Sequence, residues 1–460
     1  MHVHILGICG TFMGGVAALA AAAGHRVTGS DANVSPPMST QLRDLGIDIH
    51  EGYDAAQLDV QPDCVVVGNV MSRGTPVVEA LLDRGIPYRS GPQWLAENVL
   101  QGRHVFAVAG THGKTTTSSM LAWILQDAGL EPGFLIGGIP ANFDVSARYG
   151  KGELFVVEAD EYDTAFFDKR AKFVHYRPRT LVLNNLEYDH ADIYRDLDAI
   201  RWQFHQLMRT VPGAGRVIAN SGDANLDRLL AMGCWTPTER FGTGGTGDWQ
   251  ARFADAGEKR IEVRDPQGES GTARWHMAGS HNLENAAAAV AAAKSVGVST
   301  AAAVDALSRF EGVKRRMERT ATVADIAIFD DFAHHPTAIR RTIDAMRRRN
   351  PGRRLVVAVE PRSNTMKLGV HNAEFGKSLA GADLVWLYRP REMTADFDSA
   401  LAPLGRKLRS FDDYDRLVTD MSGQLQSGDQ VVFMSNGGFG GARQTLTAML
   451  QRIRGAAPPA

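Results

Sequence analysis

Gly110-Thr111-His112-Gly113-Lys114-Thr115-Thr116 follows an apolar run, Val105 to Val108, and opens an amphipathic one, Ser119 to Leu125. That succession predicts a strand, a tight turn and the start of a helix. Glycines in such a turn let backbone N–H groups crowd around a phosphate. A lysine adds a compact cation, and a threonine hydroxyl at the positive end of the helix can ligate Mg²⁺. The chemistry is that of a nucleoside triphosphate site on a shortened phosphate loop, because Val108 stands where the G-x-x-x-x-G-K-[ST] pattern has its first glycine. The plainer alternative is an ordinary glycine-rich turn.

Phe155-Val156-Val157-Glu158 reads as a second apolar strand that ends in a carboxylate, where nucleotide-hydrolysing sheets hold a Mg²⁺ ligand. Asp160, Glu161 and Asp163 crowd the same turn and are rivals to Glu158, with a solvated acidic loop as the plainer explanation. Glu158 is the expected ligand because the strand aims it. His190 follows the next apolar strand and can reach a second metal ion on the same sheet edge, or it is a simple loop residue. Asn282 and Asn285 open an Ala-rich helix, where an asparagine is usually a cap but can also hydrogen-bond an adenine edge. Asp330-Asp331-Phe332-Ala333-His334-His335-Pro336 lies between a strand and a proline-started helix. The segments Glu360 to Lys367 and Ser435 to Gly441 also follow strands, so these loops should converge on one edge.

Elements that can position these residues alternate along the whole chain. At 460 residues with 44% hydrophobic content there is material for roughly three domains. From Val3 the pattern runs strand, glycine turn (Gly7 to Gly10), Ala-rich helix, then a strand ending at Asp31, and the alternation continues to about Leu100. A central segment carries the phosphate loop, a glycine-rich interval from Gly242 to Gly271 suited to hairpins, and helices from Leu283 to Ser295 and Thr300 to Arg309. The last segment alternates strands (Ile326 to Phe329, Leu355 to Val359, Leu384 to Leu387, Val431 to Met434) with a helix from Pro336 to Arg348. The fold class is therefore α/β in three domains: an N-terminal Rossmann-like unit over 1–102, a central P-loop ATPase-like unit over 103–319 and a C-terminal Rossmann-like unit over 320–460. The tail Gly455 to Ala460 has nothing to bury and is expected to be disordered.

The formal net charge of −2 provides no global field for nucleic acid or anionic lipid. Three widely spaced cysteines, Cys9, Cys64 and Cys234, form no metal or disulfide pattern, and no apolar stretch approaches the ~18 residues of a membrane span. A soluble protein of the reducing cytoplasm is expected. The arginines Arg347, Arg348, Arg349, Arg353 and Arg354 straddle a helix end, where cations suit the dipole, and read as solvated.

Taken in order, Gly-Thr-His-Gly-Lys-Thr, Val-Val-Glu158-Ala-Asp-Glu, Asn-Leu-Glu-Tyr-Asp-His190, His281-Asn282 with Asn285, Gly312-Val-Lys-Arg-Arg316 and Asp-Asp331-Phe-Ala-His-His-Pro resemble the ATP-dependent UDP-N-acetylmuramate ligases (Mur ligases) of peptidoglycan metabolism. The first two segments are similar to the branch that adds L-alanine. Where that branch has Pro-His-Arg-Tyr-Ser-Arg, this chain has Pro361-Arg362-Ser363-Asn364-Thr365-Met366, so Met366 replaces the arginine expected to clamp a small amino acid. Ser435 to Gly441, Glu360 to Lys367 and Glu161 to Arg170 look instead like the branch that joins the murein tripeptide L-alanyl-γ-D-glutamyl-meso-diaminopimelate to UDP-N-acetylmuramate. Other family members carry a carbamylated lysine after the metal histidine. No lysine lies between Lys172 and Lys259, which excludes that bridge.

The resemblance implies an acyl-phosphate mechanism with Lys114, Glu158 and His190 as its centre. Gly110, Thr111, His112, Gly113, Lys114, Thr115 and Thr116 would hold the phosphates, with Thr115, Glu158 and His190 on Mg²⁺. Asn282 and Asn285 would read adenine, and Arg316 and Asp331 would reach the γ-phosphate and ribose only on domain closure. Gly10, Thr11, Ser30, Asp31 and Ser72 would line the UDP site, and His334, Arg362 and Asn364 the tripeptide site. Different readings are an L-alanine ligase, a non-catalytic nucleotide-binding regulator, and an NAD-dependent oxidoreductase. The last is suggested by Gly7-Ile8-Cys9-Gly10 with Asp31, although Cys9 takes the place of a fingerprint glycine.

Overall fold

Short apolar runs between amphipathic helices build three main sheets in the computed structural model, which describes residues 1–35, 38–391, 393–394 and 396–454. The tail 455–460 lies outside the described residues. Among the described residues no helix is long and apolar enough to cross a membrane.

The first sheet has five parallel strands in the order Asp48–Glu51, Arg26–Asp31, His2–Leu6, Cys64–Val67, Tyr88–Ser90. His2–Leu6 and Cys64–Val67 are buried throughout, as central parallel strands covered on both faces must be. Helix Thr11–Ala22 packs between this sheet and the next unit. A Cβ on Gly15 would stand 2.3 Å from Leu135 Cδ1, so glycine there allows the close approach. One apolar cluster accordingly runs from Val16 and Ala20 into Leu135 and Val157.

The central sheet has ten strands. Its parallel core places His104–Ala109 between Thr180–Leu183 and Leu154–Ala159, so the segments ending at Gly110, Glu158 and Asn184 leave one edge side by side. The glycine-rich interval forms antiparallel strands Trp249–Phe253, Arg260–Arg264 and Ser270–Arg274 that extend this sheet. Helix Ser280–Lys294 lies across it and buries the alanine face from Ala286 to Ala293.

The third sheet runs Glu318–Val323, Ile326–Asp331, Gln430–Met434, Leu355–Val359, Leu384–Tyr388, Leu408–Phe411, with only the first pair antiparallel. Helix Pro336–Arg349 covers one face, with Ile339, Ile343 and Met346 in the core.

Candidate active site

The phosphate loop connects strand His104–Ala109 to helix Lys114–Asp127, with Gly113 at the N-cap in the left-handed region (φ 80°). A Cβ there would also lie 2.5 Å from Asn285 Oδ1, so only glycine meets both demands. The Thr115 hydroxyl donates to Glu158 Oε1 at 3.0 Å, and the Gly137 N–H donates to Glu158 Oε2 at 2.7 Å. Burial pushes the Glu158 carboxyl up, opposed by Lys114, the Gly137 N–H and Arg316.

Glu161 is 1% exposed and accepts from Lys114 Nζ at 2.6 Å; Asp160 Oδ1 lies 3.7 Å from the same ammonium. Burial works against the Lys114 charge, yet Glu161 and Asp160 outweigh it and raise the pKa. His190 Nε2 is 3.4 Å from Glu161 Oε1. Burial disfavours the imidazolium, but Glu161, Asp189 and Asp160 raise its pKa to about 9. Asp160, Glu161 and His190 offer ligand atoms within 4.8 Å of one another. A hard divalent cation fits both this group and the Thr115–Glu158 pair. Glu161 and Asp163 therefore do not belong to a solvated acidic turn: both are buried and ion-paired, Asp163 with Lys169. No periodicity marks them, because the partner that lets Glu161 be buried is Lys114, 47 residues away.

A cavity of about 1080 Å³ opens between the central and third units. Of the residues expected to bind ATP, Thr111 to Thr116, Asn282, Asn285, Arg316 and Asp331 line it; Gly110 starts the loop without lining it. Gly279, and not an asparagine, caps helix Ser280–Lys294. Asn282 Nδ2 donates to Ala278 O at 2.7 Å, Asn285 Nδ2 donates to Asn282 Oδ1 at 3.1 Å, and Thr117 donates to Asn285 Oδ1 at 3.0 Å, which pins helix to loop. Arg316 Nη2 donates to Thr115 Oγ1 at 3.2 Å, so the segment that leads into the third unit already reaches the phosphate loop. Arg315 and Met317, on either side, both adopt positive φ (62° and 53°), strained backbone that aims Arg316 inward. Asp331 is buried, and its carboxylate accepts the Met317 and Ala333 N–H groups, each at 2.8 Å.

A second cavity of about 510 Å³ is lined by Tyr162, Asp192, Arg362, Asn364 and Asn436 among others. Asp189, His190 and His334 line both cavities. The expected acceptor residues His334, Arg362 and Asn364 are thus brought together. Asn364 Nδ2 donates to Asp192 Oδ2 at 2.9 Å, and Tyr162 OH donates to the same oxygen at 2.6 Å. A Cβ on Gly437 would lie 2.6 Å from Arg362 Nη1, so the glycine loop makes room for that guanidinium. Met366 is 1% exposed in the third core and lines neither cavity, so no clamp stands at that position. A guanidinium at the second cavity is supplied by Arg362, one of the expected acceptor residues.

The arginine run is not simply solvated. Arg354 pairs with buried Asp429 at 2.6 Å, Arg347 with Asp383 at 2.7 Å and Arg348 with Glu258 at 3.2 Å, while Arg349 donates to the His276 carbonyl. Helix Pro336–Arg349 is therefore tied to the central unit at its end. Near its start, the Thr337 hydroxyl donates to Glu187 Oε2 at 2.7 Å. The Thr365 hydroxyl adds a further tie, donating to Asp189 Oδ1 at 2.9 Å.

Gly10, Thr11, Ser30, Asp31 and Ser72 gather on the carboxyl edge of the first sheet and line neither cavity. Gly10 precedes helix Thr11–Ala22, while Ser30 is fully buried with an unpartnered Oγ. Asp31 accepts the Cys9 N–H at 2.9 Å and the Asn33 N–H at 3.1 Å, so its carboxylate ties its own loop to the glycine turn.

Residues 2–103 match the Mur ligase family catalytic domain, 108–293 the Mur ligase middle domain, and 315–437 the Mur ligase glutamate ligase domain. The chain belongs to the Mur ligase family. Among the most similar Mur ligases is a UDP-N-acetylmuramate--L-alanyl-gamma-D-glutamyl-meso-2,6-diaminoheptandioate ligase of Escherichia coli strain K12, 51% identical over 97% of each chain. A UDP-N-acetylmuramate--L-alanine ligase of Syntrophomonas wolfei is 34% identical over 83% of this chain and 81% of its own. The crystal structure of a murein peptide ligase from Psychrobacter arcticus superposes with a TM-score of 0.78 at 46% identity, covering all of both chains. Membership of this family of ligases sets aside the oxidoreductase and the non-catalytic regulator.

Proposed function

We propose that this Mur ligase joins the murein tripeptide L-alanyl-γ-D-glutamyl-meso-diaminopimelate to UDP-N-acetylmuramate, with ATP converted to ADP and phosphate, in the cytoplasmic recycling of cell-wall peptide. One observation carries the reading: the cavity lined by the phosphate loop and the cavity lined by Arg362 and Asn364 share Asp189, His190 and His334. A group activated in the first is therefore within reach of a nucleophile held in the second. The relatives named for the tripeptide reaction support the same acceptor.

A carboxylate cannot expel oxide, so the muramyl carboxylate must first take the γ-phosphoryl group and become an acyl phosphate. Lys114 and Arg316 offset the triphosphate charge as the two anions approach. Thr115, Glu158 and His190, joined by Asp160 and Glu161, would hold Mg²⁺, which supplies further charge neutralisation. Asn282, Asn285 and Asp331 line the same cavity and would hold the nucleoside. Arg362 would pair with a tripeptide carboxylate. His334 Nδ1 lies 3.0 Å from the Phe332 carbonyl and donates to it, which leaves Nε2 as the acceptor. Burial keeps this imidazole neutral, so Nε2 can take the proton released as the tripeptide amine attacks the acyl carbon. UDP would lie along Gly10, Thr11, Ser30, Asp31 and Ser72, and we assign the three units to residues 1–102, 103–319 and 320–460.

The test is ADP release with UDP-N-acetylmuramate and either amine, the tripeptide or free L-alanine. A preference for the tripeptide is expected. Faster turnover with L-alanine would move the chain to the other branch.

A further inference from the structure

Lys172 follows the hairpin formed by Asp163–Ala165 and Asp168–Ala171, on the side of the acid cluster that faces the N-terminal unit. Its ammonium donates to Asp160 Oδ2 at 2.9 Å and lies 5.8 Å from the Phe12 ring and 5.3 Å from the Tyr162 ring. Phe12 is the second residue of helix Thr11–Ala22, next to the expected UDP residues Gly10 and Thr11. Asp160 belongs to the group that also contains Glu161 and His190. Lys172 therefore has the sugar-nucleotide edge on one side and the phosphoryl-transfer residues on the other.

Its surroundings are those of a site built to hold charge. The side chain is 14% exposed, and the aromatic faces of Phe12 and Tyr162 suit a partly desolvated cation. An ammonium has three N–H donors, and among the described residues this one makes a single side-chain hydrogen bond, to Asp160. Two donors are left for an anion. Lys172 lines neither cavity, and its contact with Phe12 faces it toward the N-terminal side.

We propose that Lys172 binds the lactyl carboxylate of the sugar nucleotide and holds it for phosphorylation. This inference rests on the substrate reading above. A carboxylate carried in from the Gly10–Thr11 edge passes Phe12, whose ring lies 5.8 Å from the Lys172 ammonium. The carboxylate oxygen can then displace or share the Asp160 contact and turn toward the γ-phosphate. A purely structural role for the Lys172–Asp160 pair would give the ammonium no preference among sugar nucleotides.

Calorimetric titrations of the whole protein with UDP-N-acetylmuramate and UDP-N-acetylglucosamine, which lacks the lactyl carboxylate, separate the possibilities. Lys172→Met should weaken UDP-N-acetylmuramate binding at least tenfold and leave UDP-N-acetylglucosamine and ATP binding unchanged, while Lys172→Arg should restore most of the lost affinity. Equal weakening of both sugar nucleotides, in Lys172→Met or in Lys172→Gln, would assign the lysine to packing and overturn the proposal, as would unchanged binding of both. Wild-type protein that binds neither sugar nucleotide would overturn the substrate reading and this assignment together; the selective failures leave the substrate reading standing.

Discussion

At the scale of single residues, the centre of the site is a buried pair, Lys114 and Glu161, whose members need each other. Lys114→Met should abolish ADP release, by at least ~10²-fold in kcat, with UDP-sugar binding intact. It should also cost about 3 kcal/mol of stability, because Glu161 is left buried with only His190, 3.4 Å away, to offset its charge. The double variant Lys114→Met with Glu161→Gln should regain the stability but not the activity, which denaturant melts and ADP assays would separate. His190 gives a pH signature. Its folded pKa of about 9 lies above the ordinary 6.5, so its stabilising contribution is full below pH 6.5 and is lost as pH rises through 9. In metal-free protein, the stability difference between wild type and His190→Asn should shrink across that window. Mg²⁺ affinity should rise over the same interval, because the metal takes the neutral imidazole. A pH-independent difference would mean that His190 is not charged in the apo-protein.

At the scale of elements, loops at the carboxyl ends of strands hold the site, and their glycines set its tolerances. Gly437→Ala would place a Cβ 2.6 Å from Arg362 Nη1 and displace that guanidinium. The expected result is a roughly tenfold rise in KM for the tripeptide, with KM for ATP unchanged, measured by steady-state kinetics. The strands themselves were legible in the sequence. Leu355 to Val359 is a strand over those same residues, and the phosphate loop, Glu158 and His190 leave the sheet edge expected of them, because a buried parallel strand must be an apolar run. Less legible was the hairpin Asp163–Ala165 with Asp168–Ala171. Its Asp-Lys-Arg content reads as solvent, yet Asn69 Nδ2 donates to Asp163 Oδ1 at 2.6 Å and Phe167 stacks edge-on against Tyr88, docking it on the first unit. Less legible too was the packing of Met366, because the short helix Asn364–Lys367 turns that side chain into the core, which chain spacing alone does not show.

At the scale of the whole molecule, side-chain bonds hold the third unit on the central one, among them Thr337 to Glu187, Thr365 to Asp189 and Asn364 to Asp192. A hydrogen bond to a charged carboxylate contributes about 1.5–3 kcal/mol. Removing the two threonine hydroxyls by Thr337→Val with Thr365→Val should shift the open–closed balance by at least ~10²-fold toward open. Small-angle scattering should show a larger radius of gyration, and kcat/KM for the amine should fall, while each unit keeps its own unfolding transition. An unchanged radius would show that other contacts govern closure.

Helix Pro336–Arg349 is held at both ends, by Thr337 on Glu187 and by Arg348 and Arg349 on the antiparallel extension of the central sheet. It spans roughly 20 Å over the nucleotide cavity like a bar fastened across a hatch. Release of a product from beneath this bar would need both fastenings to open. Escape of the product, and with it the pace of each catalytic cycle, then follows the drag of solvent on a swinging lobe, so turnover should slow as glycerol thickens the medium.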